Sequence, residues 1–112
     1  MTILKNVTEI QNLYTYFEFK DYDGWDEFDI ILLTLTKHMG CHEIEKLEGV
    51  YSKHCILDFN GLDFKLMYHE DFGNYLCNQE KKDENYYNEL ECIAKEVVSR
   101  LNTNTINSTT IA

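Results

Sequence analysis

The dipeptide Asn60-Gly61 constrains the fold more than any other feature, because it lies between two runs of alternating apolar residues. Asn-Gly is the preferred pair for a two-residue type I′ turn, so the flanking runs are predicted to form an antiparallel hairpin. Such a turn places Phe59 opposite Leu62 and fixes every further pair along the two strands. The face predicted to meet the core is Cys55, Leu57, Phe59, Leu62, Phe64, Leu66 and Tyr68.

Two further strands are predicted, one before and one after the hairpin in the chain. Residues 13–20 read LYTYFEFK and alternate aromatic with polar side chains, which is typical of a half-buried strand. The run NYLCN, residues 74–78, indicates a short final strand. Asp71, Gly73 and Asn74 indicate a tight turn at its start.

Two amphipathic helices are predicted from apolar residues that recur every three or four positions. The first stripe begins at Trp25 and ends at Met39, with Asp23 as the expected N-cap and Gly40 as the expected C-cap. The second helix is expected over residues 84–101. Its predicted apolar face is Tyr86, Leu90, Ile93, Ala94, Val97 and Leu101.

These elements together predict an α+β fold. Hairpins join strands in antiparallel pairs, and two amphipathic helices can cover one face of the sheet. We expect a two-layer sandwich with an antiparallel sheet of about four strands and the order β-α-β-β-β-α, with room for a short element before it. A single globular domain is expected over residues 1–101, and residues 102–112 are expected to be a disordered tail.

The net charge of the chain indicates which kinds of partner it can bind. Twenty acidic residues oppose ten basic ones, which gives a formal net charge of −10 and a pI near 4.7. A field of that sign repels nucleic acid and anionic membranes and attracts basic surfaces. No apolar run is long enough to predict a membrane span. The first residues lack the layout of a signal peptide, so we expect a cytoplasmic protein.

The densest group of acids is the stretch DYDGWDEFDI at the predicted start of the first helix. The helix dipole favours negative charge at a helix N-terminus, and this accounts for Asp23, Asp26 and Glu27. Asp21 lies outside the predicted helix and Asp29 lies at the edge of its first turns, so the helix dipole does not account for these two acids. We interpret the stretch as part of an acidic surface that binds a partner.

Two other places extend this interpretation. The hairpin register puts Asp58 directly opposite Asp63 on the outer face of the sheet, where like charges are destabilising. The two aspartates are either a screened surface pair, with Lys65 diagonally near Asp58, or an acidic spot that a basic partner neutralises. The segment YHEDFGNY is either a tight turn alone or a contact surface, since tyrosine offers large area with few rotatable bonds. Its candidate contact residues are Tyr68, Glu70, Asp71 and Tyr75.

Ile30 and Leu33 lie off the centre of the first helical stripe, beside Asp26. The favoured expectation is that the N-terminal segment ILKNVTEIQNL covers them. Otherwise they form a surface in which acids surround apolar anchors, an arrangement that combines hot spots with electrostatic steering.

Catalytic and metal-binding patterns fit the chain poorly. The acidic stretch fails the calcium-loop pattern, which needs glycine at its sixth position and glutamate at its twelfth. His38, Cys41 and His42 could supply zinc ligands, but no fourth ligand is evident. Hydrolase, nucleotide-binding and metalloprotease motifs are absent from the sequence, so we expect neither an enzyme nor a cofactor. The cysteines are expected to be free thiols, mostly buried: Cys41, Cys55, Cys77 and Cys92.

The acidic stretch DYDGWDEFD, the Asp58–Asp63 pair and YHEDFGNY together give a chain that resembles bacterial immunity proteins. These small acidic α+β proteins neutralise toxic nucleases, including toxins of contact-dependent growth inhibition. The resemblance covers residues 13–101 and implies tight one-to-one binding to a basic toxin domain. The rival interpretations are a phage-type inhibitor that mimics nucleic acid, a small metal-binding enzyme, and an acidic housekeeping subunit of a larger assembly.

Overall fold

The computed structural model describes residues 3–7, 15–78 and 83–111. Two helices lie within these ranges: α1 (Trp25–Leu33), which continues into a π-helical turn (Thr34–His38), and α2 (Glu84–Ile111). The described strands are β1 (Ile3–Val7), β2 (Thr15–Phe19), β3 (His42–Glu48), β4 (Ser52–Phe59), β5 (Leu62–His69) and β6 (Gly73–Cys77).

All six described strands belong to one sheet, in the spatial order β1-β2-β6-β5-β4-β3, and every neighbouring pair is antiparallel. The α+β class and the antiparallel sheet are therefore confirmed. The predicted strand count and element order are wrong, because they omit β1 and do not separate β3 from β4. All seven residues of β3 are exposed at the edge of the sheet, so this strand carries no buried alternation for a sequence pattern to reveal.

The hairpin prediction is confirmed in its turn and in its register. Asn60 and Gly61 both have positive φ, 53° and 90°, as a type I′ turn requires. Phe59 pairs with Leu62, and the register continues unbroken to Ser52 opposite His69. Buried side chains on the predicted inner face are Cys55, Leu57, Phe64 and Leu66, with Phe59, Leu62 and Tyr68 packed against them.

Helix α1 begins one residue later than predicted. Its N-cap is Gly24, with no side-chain hydrogen bond, so the prediction of Asp23 as N-cap is wrong. Glu27 lies in the first turn with its carboxylate folded back over Gly24, where an added Cβ would lie 2.6 Å from Oε2. The helical segment ends with Met39 as its C-cap, one residue before the predicted Gly40, and Gly40 then reverses the chain with a φ of +78°. The Cys41 amide donates to the Leu35 carbonyl at 2.9 Å.

Both helices cover the same face of the sheet, and their apolar residues join the inner faces of β2, β4, β5 and β6 in one core. The predicted apolar face of α2 is buried as expected. The backbone of α2 remains helical to Ile111, beyond the predicted end at residue 101. A smaller cluster lies on the opposite face of the sheet, made of Tyr16, Tyr75 and Cys77 with Met67 and Phe72 packed against them.

Candidate functional site

The loop between β2 and α1 carries the first acids of the stretch and is fastened to β6 by Asn74. The Asn74 side-chain amide donates to the carbonyl oxygens of Tyr22, at 2.7 Å, and Gly24, at 2.9 Å. Asn74 is fully buried in β6, the strand predicted to begin at residue 74, so only its additional assignment to the preceding turn is wrong. Hydrogen bonds from a buried side chain restrict the conformations open to this loop.

Gly73 brings the same loop against the turn between β5 and β6. Its φ is +71°, and a Cβ atom at this position would lie 2.7 Å from the Cβ of Asp23 and 3.1 Å from its Cα. The absence of a side chain therefore allows the close approach of two backbone segments. The exposed acids of the loop, the first turn of α1 and the β5–β6 turn form what we call the acidic end: Asp21, Asp23, Asp26, Glu70 and Asp71.

Asp29 has a different environment, because it forms ion pairs within the protein. Its carboxylate lies 3.6 Å from the Lys53 ammonium and 3.8 Å from that of Lys46. Glu48 lies 3.5 Å from the same Lys53 nitrogen. The sequence-based interpretation of Asp29 as part of a partner-binding surface is therefore incomplete, because its carboxylate also pairs with two lysines of the protein itself.

Lys53 is buried among aromatic residues, with only 2% of its side chain exposed. Its ammonium group lies 4.1 Å from the centroid of the Trp25 ring and donates to the Trp25 carbonyl at 3.2 Å. Sequence reasoning missed this residue, although the hairpin register already placed it opposite Tyr68 on the core face. A lysine in a core-facing position needs carboxylate and carbonyl partners, and α1 and β3 supply them.

Ile30 and Leu33 lie on the outer face of α1 and are 44% and 50% exposed. The favoured expectation that the N-terminal segment covers them is therefore wrong for the part of the chain that the structure describes, where β1 pairs at the far edge of the sheet. Together with Asp26 and Asp29 they follow the i, i+3, i+4, i+7 spacing of one helix face. This face joins apolar side chains to the acidic end.

Asp58 and Asp63 stand opposite each other as predicted, at the other end of the sheet. Asp58 accepts a hydrogen bond from the Gly61 amide at 3.3 Å, and the Tyr86 hydroxyl donates to the Asp63 carbonyl at 2.6 Å. The length of β5 separates this pair from the acidic end by roughly 20 Å at 3.3 Å per residue. The predicted partner-binding residues thus form two groups and not one continuous patch.

The two tyrosines predicted to contact a partner are involved in internal packing. Tyr75 is 1% exposed on the outer face of the sheet, with its ring centroid 5.1 Å from that of Tyr16. It therefore offers no contact surface, and desolvation raises the pKa of its hydroxyl. Tyr68 is partly buried on the inner face, edge-on to Trp25 at 5.4 Å.

The candidate zinc ligands do not come together in the described ranges. Cys41 is buried, whereas His38 and His42 are exposed, and no three histidine, cysteine or acidic residues in these ranges are placed to hold a metal ion. Burial raises the pKa of the Cys41 thiol to about 11, and the negative charge of Asp58 adds to the rise.

Comparison with known proteins found no matching family, no matching curated protein and no matching solved structure. Among the described helices, none is both long and apolar enough to cross a membrane. The proposed function therefore depends on the geometry and charge of the acidic end and of the adjoining outer face of α1.

Proposed function

We propose that this protein binds and neutralises a basic protein partner, in the manner of the bacterial immunity proteins that it resembles, with a toxin nuclease domain as the favoured partner. The observation that carries the proposal is the acidic end, held in place by Asn74 and Gly73 and continuous with the exposed Ile30 and Leu33 on α1. This combination of charge and apolar anchors suits a protein interface.

The chemistry of such a partner complements this surface. A nuclease holds phosphates in a basic cleft, and carboxylates on a rigid scaffold can occupy that cleft in place of phosphates. Opposite charges raise the association rate towards about 10⁸–10⁹ M⁻¹s⁻¹ at low salt. Fast capture would protect a cell into which a toxin is delivered.

The fixed position of the acidic loop also supports tight binding. Ordering a loop during association costs free energy, and that cost is avoided when the loop is already held in the free protein. Asn74 supplies this order through its two hydrogen bonds to loop carbonyls. Ile30 and Leu33 can then supply apolar contacts that charge alone does not provide.

Affinity capture from the source cell, at low and at physiological salt, is the first test. We expect one stoichiometric basic protein, retained less well as salt screens the charges. Its expression alone should arrest growth, and co-expression of this protein should relieve the arrest. Failure to capture such a protein at either salt, or capture of one whose toxicity persists on co-expression, would contradict the proposal.

A charge-reversal variant tests the surface itself. Asp26→Lys with Glu70→Lys should weaken binding by about tenfold or more, because both changes place like charge against a basic partner. The matched control is Glu45→Lys with Glu91→Lys, the same change in net charge outside the acidic end. Equal losses in the two variants would mean that net charge, not this surface, drives binding. Asp29 is left unchanged because it pairs with the buried Lys53.

A further inference from the structure

A cavity of about 350 Å³ lies between α2, the tip of the β4–β5 hairpin and the end of the π-helical turn. Its wall is apolar where Met39, Phe59, Leu62 and Ile93 meet. This volume is near the lower end of the range for small-ligand sites, roughly 300–1,000 Å³. The cavity is far from the acidic end, so the interface proposed above does not account for it.

The polar groups around this cavity are mostly acidic. Glu89 and Glu96 line it from α2. The Glu96 carboxylate already forms an ion pair with Arg100, whose Nε donates to it at 2.9 Å. Glu89 forms no ion pair among the described residues. An apolar wall beside an unneutralised carboxylate favours a ligand that has an aliphatic body and a cationic head.

The Asp58–Asp63 pair lies at the same end of the sheet as the cavity, on the outer face. Tyr86 precedes Glu89 by one helical turn, and its hydroxyl donates to the Asp63 carbonyl. Asp63 and Asp58 flank the hairpin tip that supplies Phe59, Asn60 and Leu62 to the lining. The second acidic group of the protein therefore lies at the same end of the sheet as the cavity, although neither aspartate lines it.

We infer that this cavity receives a lysine or arginine side chain of the basic partner, with the aliphatic stem against Phe59 and Leu62 and the charged head at Glu89. This inference deepens the proposed function and depends on it for the identity of the occupant. The partner would thus contact both ends of the sheet.

The test uses n-hexylamine, protonated at pH 7, as a probe of the stem and charged head of lysine. Two-dimensional NMR of the full chain follows the amide signals of Leu62, Cys92 and Ile93 during titration. We expect saturable changes in these amide chemical shifts. Hexylamine should bind about threefold or more tighter than 1-hexanol, because its ammonium group forms an exposed ion pair with the Glu89 carboxylate. Hexanoate should bind most weakly of the three probes.

Two variants separate the charge from the apolar wall. Glu89→Gln should lower the affinity for hexylamine to that for hexanol while leaving hexanol binding unchanged. Glu91→Gln removes a charge from the same helix outside the cavity lining and should change neither affinity. Equal binding of hexylamine and hexanol to the unaltered protein would overturn the preference for a cation, and the absence of saturable shifts would overturn the site.

The outcome is independent of partner capture, because the probes need no partner. A negative titration alongside a captured toxin would remove the cavity from the interface and leave the proposed function intact. A positive titration with no captured partner would contradict the proposed function, and with it the identification of the occupant as a partner's side chain.

Discussion

Lys53 lies on the inner face of β4, in a register position where its neighbours Cys55 and Leu57 are apolar and buried. Its charge is met by Asp29 and Glu48, both of which remain more than half exposed. Its ammonium group lies over the Trp25 ring, and its whole side chain is almost fully buried. Lys53 therefore stabilises the protein through packing as well as through charge.

Two substitutions of Lys53 separate these contributions. Lys53→Ala should lower the free energy of unfolding by about 2 kcal/mol, because it removes the packed stem and the cation from Trp25. Lys53→Met keeps most of the volume, so its cost should be less than half of that. Urea denaturation measures both, with the more exposed Lys46→Met as control. Equal costs for the alanine and methionine variants would show that the charge dominates.

Asn74 is the residue on which the order of the acidic loop depends. Asn74→Ala removes both hydrogen bonds to the carbonyls of Tyr22 and Gly24, and should destabilise the protein by about 2 kcal/mol. Amide hydrogen exchange should accelerate in the loop between β2 and α1. Asn88→Ala, on the exposed face of α2, should change neither quantity. Unchanged amide exchange in the loop of the Asn74 variant would contradict the conclusion that the Asn74 hydrogen bonds hold this loop in place.

At the scale of elements, two glycines with positive φ occupy different surroundings. Gly61 has open space where a Cβ would lie, whereas Gly73 faces Asp23 at 2.7 Å. Gly61→Ala should therefore cost about 1 kcal/mol from backbone strain alone. Gly73→Ala should cost at least twice as much as Gly61→Ala, because the acidic loop must also move. Thermal or urea denaturation measures the stability of the two variants. An equal loss of stability in both would contradict a tight contact between Gly73 and the acidic loop.

The elements that sequence could predict are those specified by local patterns. The Asn60-Gly61 turn fixes its own register and the apolar face of α2 follows helical spacing, so both predictions are confirmed. The predicted stripe of α1 includes the buried Phe28, Leu32 and Leu35 but omits the equally buried Ile31. Strand β3 could not be found in this way, because an exposed edge strand buries neither face. Its existence depends on pairing with β4, which is a tertiary contact.

The candidate site was predictable in composition and not in arrangement. The acids near the start of α1 were evident from the sequence, and so was the opposition of Asp58 and Asp63. Whether an acid serves a partner or an internal lysine depends on residues distant in sequence, as the contact between Asp29 and Lys53 shows. The burial of Tyr75 likewise depends on Tyr16, which β2 brings alongside β6.

At the scale of the whole molecule, burial divides the four cysteines into two classes. Burial raises the pKa of Cys41 to about 11 and those of Cys55 and Cys77 to about 12, whereas Cys92 is exposed. A raised pKa in the folded state means that these thiols stabilise the fold fully below the unfolded value near 9. That stability is lost as pH rises from 9 towards 12.

We therefore expect iodoacetamide to modify one thiol of the native protein at pH 8. The other three should react only after denaturant is added, or as the pH rises through the range in which the fold loses stability. Mass spectrometry counts the modified thiols, and Cys92→Ser should abolish the native reaction. Rapid modification of two or more thiols at pH 8 would contradict the burial of the core cysteines.

The strand order also has a consequence for the sequence of events during synthesis. From β3 to β6, each strand pairs with the one made just before it, whereas β2 must pair with β6, the last strand of the sheet. A ribosome adds roughly 5–20 residues per second, so β2 is made several seconds before β6, its second neighbour in the sheet. The β3–β6 meander can assemble from nearby contacts, but the sheet is complete only when β6 pairs with β2, which was made more than fifty residues earlier.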